Sequence, residues 1–315
     1  MTFRLADHCG QYLSELACED QRIYVLDGDL ADSDGAIHFA TKHPDRFVMA
    51  GIAEQCMVSV AAGMASCGLR PWVFSFGAFL CYRAYDQIRV CLSQSHQPVT
   101  LVGSHTGGLS ARNGKTHAAL NDIALMASLP GMNVWAPGDE NDLKLAVRRI
   151  LAGDKPAYLR LPRRPLDPLP GEAASCRWLT EPQPIALCGT GLGTHLALAA
   201  AQEYLPLYGL HVGVLHCPQV SPLPQLELAA ALEQCEMIFV IEDHYRFGGL
   251  ASLLQSLDPS AKIISLGWPN DWSGRSGNDE ELLEMYGLAP HQLARSILTT
   301  VESSTSANRS KVLLS

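Results

Sequence analysis

Short continuous apolar runs alternate along this chain with longer stretches whose apolar residues return every three or four positions. Phe3 to Cys18 reads as an amphipathic helix, and Ile23-Tyr24-Val25-Leu26 as a buried strand ending in Asp27-Gly28-Asp29. A short strand over Phe47-Val48-Met49 follows, then a small-residue helix from Glu54 and a strand over Pro71 to Ser75. A helix through Tyr82 to Leu92 and a strand over Val99 to Val102 continue the alternation. Brief apolar runs separated by helices predict a parallel sheet covered on both faces, because strands buried on two sides have no polar face to alternate. Arg163-Arg164-Pro165-Leu166-Asp167-Pro168-Leu169-Pro170-Gly171 breaks the pattern, and its proline and glycine density predicts a linker reaching to about Gln183.

A second α/β unit is expected beyond it. Strands are predicted at Ile185 to Leu187, Val212 to Leu215, Met237 to Ile241 and Ile263 to Leu266, with helices from Thr194 to Tyr204 and from Gln225 to Leu232. The expected organisation is α/β, two three-layer α/β domains: residues 1–165, a linker over 166–183, and residues 184–302. The Ser/Thr/Asn-rich segment 303–315 reads as a disordered tail.

A length of 315 residues gives room for two such cores, and 47% hydrophobic with 17% charged residues describes a globular chain. A formal charge of -9 without a basic patch argues against nucleic acid as a partner. No apolar run approaches the roughly 18 residues of a membrane span, and the N-terminal residues lack a signal-peptide core. The ten cysteines form no CxxC pair. Those in apolar contexts, such as Cys67, Cys81 and Cys188, read as buried reduced thiols, which suits a cytoplasmic protein.

Candidate chemistry begins at Gly51-Ile52-Ala53-Glu54-Gln55, a lone acid opening an apolar run. In a closely packed helix a charged carboxylate is costly, whereas a neutral acid can donate a hydrogen bond to a ring nitrogen. Phe79, Tyr82 and Tyr85 recur every three residues, which on one helix would place them near a single face. They read either as a core stripe or as a platform for a flat heteroaromatic ring.

Ile52-Ala53-Glu54-Gln55, Ser75-Phe76-Gly77-Ala78-Phe79 with Tyr85-Asp86-Gln87-Ile88-Arg89, and Gly103-Ser104-His105 with Gly114-Lys115-Thr116-His117 together resemble the C-terminal half of a transketolase. The likeness covers about residues 3 to 300 and is closest to split transketolases, whose halves are separate polypeptides. It implies a thiamine-diphosphate pyrimidine-binding domain followed by a transketolase C-terminal-like domain. It also implies transfer of a two-carbon ketol unit from a ketose to an acceptor. Glu54 matches the family's catalytic glutamate at N1′ of the aminopyrimidine, and Phe79, Tyr82 and Tyr85 the aromatic pocket around that ring. Asp29, Leu30 and Ile52 match residues bordering the cofactor. His117 matches a catalytic, substrate-binding histidine at the donor hydroxyls, and His105 one lying further toward the substrate phosphate. Arg4, Ser33 and Arg163 match positions that bind that phosphate, a role suited to guanidinium and hydroxyl groups. Taken alone, Arg4 reads equally well as a solvated helix residue and Ser33 as a turn or cap.

The family holds the diphosphate and Mg2+ through a Gly-Asp-Gly segment and a later asparagine. No Gly-Asp-Gly occurs here, since Asp27-Gly28-Asp29 has the opposite order. The resemblance therefore implies no metal ligand in this chain, a partner N-terminal subunit, and an α2β2 heterotetramer. The chain departs from the family at Ala111 to Ala118, where Arg112, Asn113 and Lys115 replace two acids and a neutral residue and Ala118 replaces glutamine. Asn113 and Lys115 stay substrate-binding candidates, and the change predicts a more anionic, less sugar-like or carrier-bound acceptor. A solvent-facing loop with incidental charge is the alternative. A deoxyxylulose-phosphate-synthase-like or oxo-acid dehydrogenase β-type subunit, and a degenerate scaffolding subunit, are the competing functions. Gly189-Thr190-Gly191-Leu192-Gly193 reads as a strand-to-helix turn, and Glu242-Asp243-His244 as a structural segment.

Overall fold

A computed structural model describes residues 3–271 and 274–312, the side chains of 305–312 excepted. The strands are β1 (Ile23–Asp27), β2 (Phe47–Met49), β3 (Arg70–Phe76), β4 (Thr100–Thr106), β5 (Asn133–Trp135), β6 (Ala157–Pro162), β7 (Arg177–Trp178), β8 (Ile185–Gly189), β9 (Gly213–His216), β10 (Gln219–Ser221), β11 (Met237–Tyr245) and β12 (Ile263–Trp268). Among the described residues they form a seven-stranded sheet ordered β10-β5-β6-β4-β3-β1-β2 and a five-stranded sheet ordered β12-β11-β8-β9-β7. Every neighbouring pair is parallel except β10 with β5 and β7 with β9. All seven residues of β4 are buried, as expected of a strand covered on both faces.

The helices are α1 (Leu5–Leu16), α2 (Ala31–Asp34), α3 (Ile37–Lys42), α4 (Glu54–Ser66), α5 (Gly77–Arg83), α6 (Tyr85–Gln87), α7 (Asp122–Ala127), α8 (Glu140–Ala152), α9 (Leu192–Ala199), α10 (Gln225–Leu232), α11 (Leu250–Leu257), α12 (Asp279–Met285) and α13 (Pro290–Val312). Leu5, Leu13, Phe39, Leu143 and Val147 from α1, α3 and α8 build the core against one face of the first sheet. Met57, Val58, Leu80, Ile123 and Met126 from α4, α5 and α7 build it against the other. The second sheet is covered by α9 and α13 through Leu196, Leu293 and Ile297, and by α10 and α11 through Leu228 and Leu254.

Several expectations need correcting. The expected linker carries β7, which pairs with β9, and β10 crosses back to pair with β5 of the first sheet. Both pairings are long-range, and no local pattern encodes them. The predicted helix Tyr82 to Leu92 is broken at Ala84 (φ -110°, ψ 13°) into α5, α6 and a wide-turned π segment, Ile88–Ser93. The helix α4 is amphipathic rather than enclosed, since Gln55, Cys56, Ser59, Val60 and Gly63 are exposed. Cys67 is exposed too, because it caps that helix at its open end, whereas Cys81 and Cys188 are buried and all ten cysteines are free. The segment read as a disordered tail continues α13 to Val312, where Ser303 and Ser304 hydroxyls bond to carbonyls one turn back and Lys262 Nζ donates to Ser304 Oγ at 2.7 Å. Residues 313–315 of that segment lie outside the described residues.

Two buried polar clusters join the halves. Asp142 of α8 accepts from Arg177 Nη1 at 2.5 Å, lies 2.7 Å from His216 Nε2, and takes the Gly138 N–H at 3.2 Å. Burial pushes its carboxyl up, but His216 and Arg177 outweigh burial and hold it below the usual range. In the second cluster, Arg160 of β6 donates to Asp122 at 2.8 Å and to the Asp243 carbonyl at 2.6 Å. Asp243 in turn accepts the Trp268 Nε1–H at 2.6 Å and the Gly108 N–H at 2.8 Å. Glu242 accepts the first amides of α11, and Gly189 to Leu192 form the turn from β8 into α9, so both second-domain motifs are structural.

Candidate functional site

Glu54 is the first residue of α4 and only 3% exposed. The positive end of the helix dipole lies there, which favours a carboxylate side chain. It is not the solitary acid expected from its surroundings, because Arg83 Nη1 reaches Glu54 Oε1 at 3.1 Å. The same guanidinium lies 3.9 Å above the Phe79 ring centre. Arg83 follows Phe79 by four residues on α5, the spacing that brings two helical side chains together. Ile52, Ala53, Glu54, Gln55, Cys56 and Arg83 line an open depression of about 480 Å³.

From Phe79 an aromatic row leads away from Glu54. Phe79 packs 5.6 Å from Phe76 and 5.2 Å, edge-on, from His117, and Phe76 stacks at 4.1 Å on His105. The chain follows β3 directly into α5, and His105 is the penultimate residue of β4, so neighbouring parallel strand ends deliver these rings side by side. His105 holds φ 52°, a left-handed conformation uncommon outside glycine and a recurrent mark of functional sites. Burial, helped by the charges of Arg4, Arg163 and His117, lowers the His105 pKa to about 3. Its imidazole is therefore neutral at physiological pH, and those three groups converge upon it.

Arg163 Nη1 is buried without a hydrogen-bond partner among the described residues. Arg4 is less available than expected, because Nε and Nη2 clasp Asp7 at 2.9 Å and Nη1 donates to the Ser33 carbonyl at 2.7 Å. Asp7 also accepts the Arg4 backbone N–H at 3.0 Å, closing the start of α1. Ser33 is thereby held beside Arg4 through its backbone.

The remaining candidates are scattered around this row. Asp29 is exposed at φ 69° with Leu30 following it, and Ile52 is 73% exposed at the mouth of the depression. Tyr82 shares α5 with Phe79, and its Oη donates to Asn121 Oδ1 at 2.5 Å, whereas Tyr85 lies beyond the turn at Ala84 and its Oη donates to the Leu125 carbonyl at 3.2 Å. Arg112, Asn113 and Lys115 are exposed on two short 3-10 turns, Gly108–Asn113 and Lys115–His117. Phe76 and Arg83 were not anticipated as site residues, although the Phe79-to-Arg83 spacing is a legible cation–π signal.

A flat, nitrogen-bearing ring suits the Glu54 end. The group now lying across Phe79 and bonding Glu54 is itself planar and carries N–H donors. Among the described residues, no three His, Cys, Asp or Glu side chains gather as a metal site requires. No described helix is long and apolar enough to cross a membrane.

Comparison with known proteins agrees with this geometry. The profile of the transketolase pyrimidine binding domain matches residues 2–168, and that of the transketolase C-terminal domain residues 176–293. An uncharacterised transketolase family protein of Sinorhizobium fredii is 34% identical over 301 residues, covering 91% of this chain and 86% of its own. A 6-deoxy-6-sulfo-D-fructose transketolase subunit of a Clostridium species is 31% identical, with 92% of each chain covered. Among solved structures, the inactive β4 tetramer of a split gene transketolase superposes with a TM-score of 0.85 at 27% identity, covering 94% of this chain and 98% of that one. With both halves matched in order and the relatives spanned over most of their length, this chain belongs to the transketolase family.

Proposed function

We propose that the chain is the C-terminal subunit of a thiamine-diphosphate-dependent transketolase, active with an N-terminal subunit that holds the diphosphate and Mg2+ in an α2β2 assembly. The observation that carries this reading is the row from Glu54 through Arg83, Phe79, His117 and Phe76 to His105, with the charges of Arg4 and Arg163 acting on its far end. The cofactor, when bound, supplies the carbon nucleophile and electron sink for breaking the bond beside a ketose carbonyl. Glu54 holds a proton at the pyrimidine ring nitrogen, and Phe79 offers the ring a stacking face. His117 hydrogen-bonds the donor's hydroxyls beside that face. Neutral His105 and the free Arg163 Nη1 receive the anionic tail of a phosphorylated ketose, with Ser33 and Arg4 at its margin.

Asp29, Leu30 and Ile52 border the cofactor where the partner subunit closes over it. Exposed Arg112, Asn113 and Lys115 face an anionic or carrier-bound acceptor. The sulfo-sugar named for the Clostridium relative supports a substrate with a strongly anionic end.

Co-expression with the diphosphate-domain subunit, expected from an adjacent reading frame, tests the proposal. Ketol transfer from a ketose phosphate with added thiamine diphosphate and Mg2+ is expected, with pyruvate inert as donor. Turnover of pyruvate alone would move the chain to a deoxyxylulose-phosphate-synthase-like reaction. Activity unchanged by Glu54→Gln would remove Glu54 from the mechanism.

A further inference from the structure

Two carboxyls that this chemistry does not use lie at the two ends of the segment bearing Asp29, Leu30 and Ser33. Asp27 ends β1, Asp34 ends α2, and both are fully buried. Each gives one oxygen to the backbone: the Leu30 N–H donates to Asp27 Oδ1 at 2.8 Å and the Ala36 N–H to Asp34 Oδ1 at 3.1 Å. The second oxygen of each, Oδ2, is buried and receives no protein donor among the described residues. Each is close enough to act on the other, so the two unpartnered oxygens belong to one buried cluster at the ends of the segment. Two carboxylates have no hydrogen to place between them, and like charges this far from water repel strongly.

We infer that Asp27 and Asp34 share one proton, Asp34 being the neutral acid that donates to the Asp27 carboxylate, and that the pair clamps the Asp29–Ser33 segment in position. Burial first, and the neighbouring Asp27 charge second, raise the Asp34 pKa to about 9, while burial also raises that of Asp27. The other titratable groups facing Asp34 come from α1. Arg4 favours its charged form, and Cys9 is a thiol kept neutral by its own burial. Near Gly28, the nearest atoms from β3 and α4 belong to the uncharged Ser75 and Met57.

The clamp matters because the segment is strained and tightly seated. Asp29 sits at φ 69°, and Gly35 at φ 85° packs so closely on α1 that a Cβ there would lie 2.2 Å from the Ala6 carbonyl oxygen. Losing the shared proton would set two buried carboxylates against each other at the two ends of this segment. Asp27 and Asp34 are thus positioning residues, acting through the backbone of Asp29, Leu30 and Ser33. Only the identity of the ligands meeting that segment rests on the proposed function; the proton does not.

The test uses the full chain. Asp34→Asn retains a neutral donor, whereas Asp34→Ala removes it. Between about pH 5 and 8 the folded wild type holds one proton that the unfolded chain has lost, so its folding constant should fall about tenfold per pH unit relative to Asp34→Asn. An infrared carbonyl band of a protonated carboxylic acid should vanish in the Asp34→Asn difference spectrum at neutral pH. Amide exchange at Leu30 and Ala36 should quicken roughly tenfold in Asp34→Ala and be restored in Asp34→Asn, an opening cost of about 1.4 kcal/mol. Parallel pH curves for wild type and Asp34→Asn, or no band lost, would overturn the shared proton. Unchanged exchange in Asp34→Ala would overturn the clamp. Failure of ketol transfer with every donor would instead sink the proposed function and leave these measurements standing.

Discussion

Arg83 occupies both groups that a bound pyrimidine ring would need, the Glu54 carboxylate and the Phe79 face, so the ring must displace it. Arg83→Met keeps an aliphatic stem over Phe79 and removes the charge. Its guanidinium side chain is 47% exposed against 4% for Glu54, so the ion pair is discounted to about 0.5–1 kcal/mol for solvent screening. A half-exposed cation–π contact adds roughly 0.5–1 kcal/mol. The displaced interactions therefore sum to about 1–2 kcal/mol, which corresponds to roughly 5- to 30-fold in affinity. Calorimetric titration of thiamine diphosphate into the reconstituted complex should show Arg83→Met binding tighter by that factor. Equal affinity would mean the guanidinium does not compete with the ring. Weaker binding would mean that Arg83 contacts the ligand directly, and the displacement argument would be wrong.

Other outcomes follow from the same structure. Glu54→Gln should lower turnover at least about 100-fold while leaving co-purification with the partner intact, as loss of a proton-holding group does. Asp142→Asn breaks a fully buried pair across the two halves and should cost about 3–5 kcal/mol in urea denaturation. Because the folded Asp142 pKa is depressed, that advantage is full above the unfolded value of 3.8 and lost as pH falls through the folded one. Gly108→Ala would bring a Cβ within 2.1 Å of the Trp268 ring. Overpacking of about 1–3 kcal/mol should appear in thermal melts, together with a raised acceptor KM if the Arg112–Lys115 turns shift. His105 (about 3) and His244 (about 4), both lowered chiefly by burial, refuse protons that the unfolded chain accepts, so each contributes a loss of stability as pH falls from 6.5 toward about 4, opposed by the protons that buried Asp34, Glu242 and Asp243 retain. His105→Gln should flatten part of that slope.

The placement of the candidate residues was legible wherever chemistry and local spacing coincide. Glu54 opens its helix as the small-residue run implied, and His117 lies against Phe79. Of the aromatic stripe, Phe79 and Tyr82 share α5, but a three-residue interval predicts a common face only while the helix continues, and it stops at Ala84, before Tyr85. Arg4 matched a phosphate-binding position, yet Asp7, three residues on, claims its Nε and Nη2 donors. Such competition for one guanidinium is set by distances, which motif matching does not weigh.

Periodicity was enough to place most of the strands, with α1, α4, α9 and α10 among the helices, and to divide the chain into two α/β units, because burial on one or two faces imposes its own period. The pairing of β10 with the first sheet, the strand β7 inside a proline-rich segment, and the Asp142–His216–Arg177 junction emerge only on folding. Each joins residues distant in sequence, and neither hydropathy nor spacing carries that information. The same holds for Asp27 and Asp34. Nothing in their order distinguishes surface acids from a pair that must share a proton, and only exclusion of water from both carboxyls decides it.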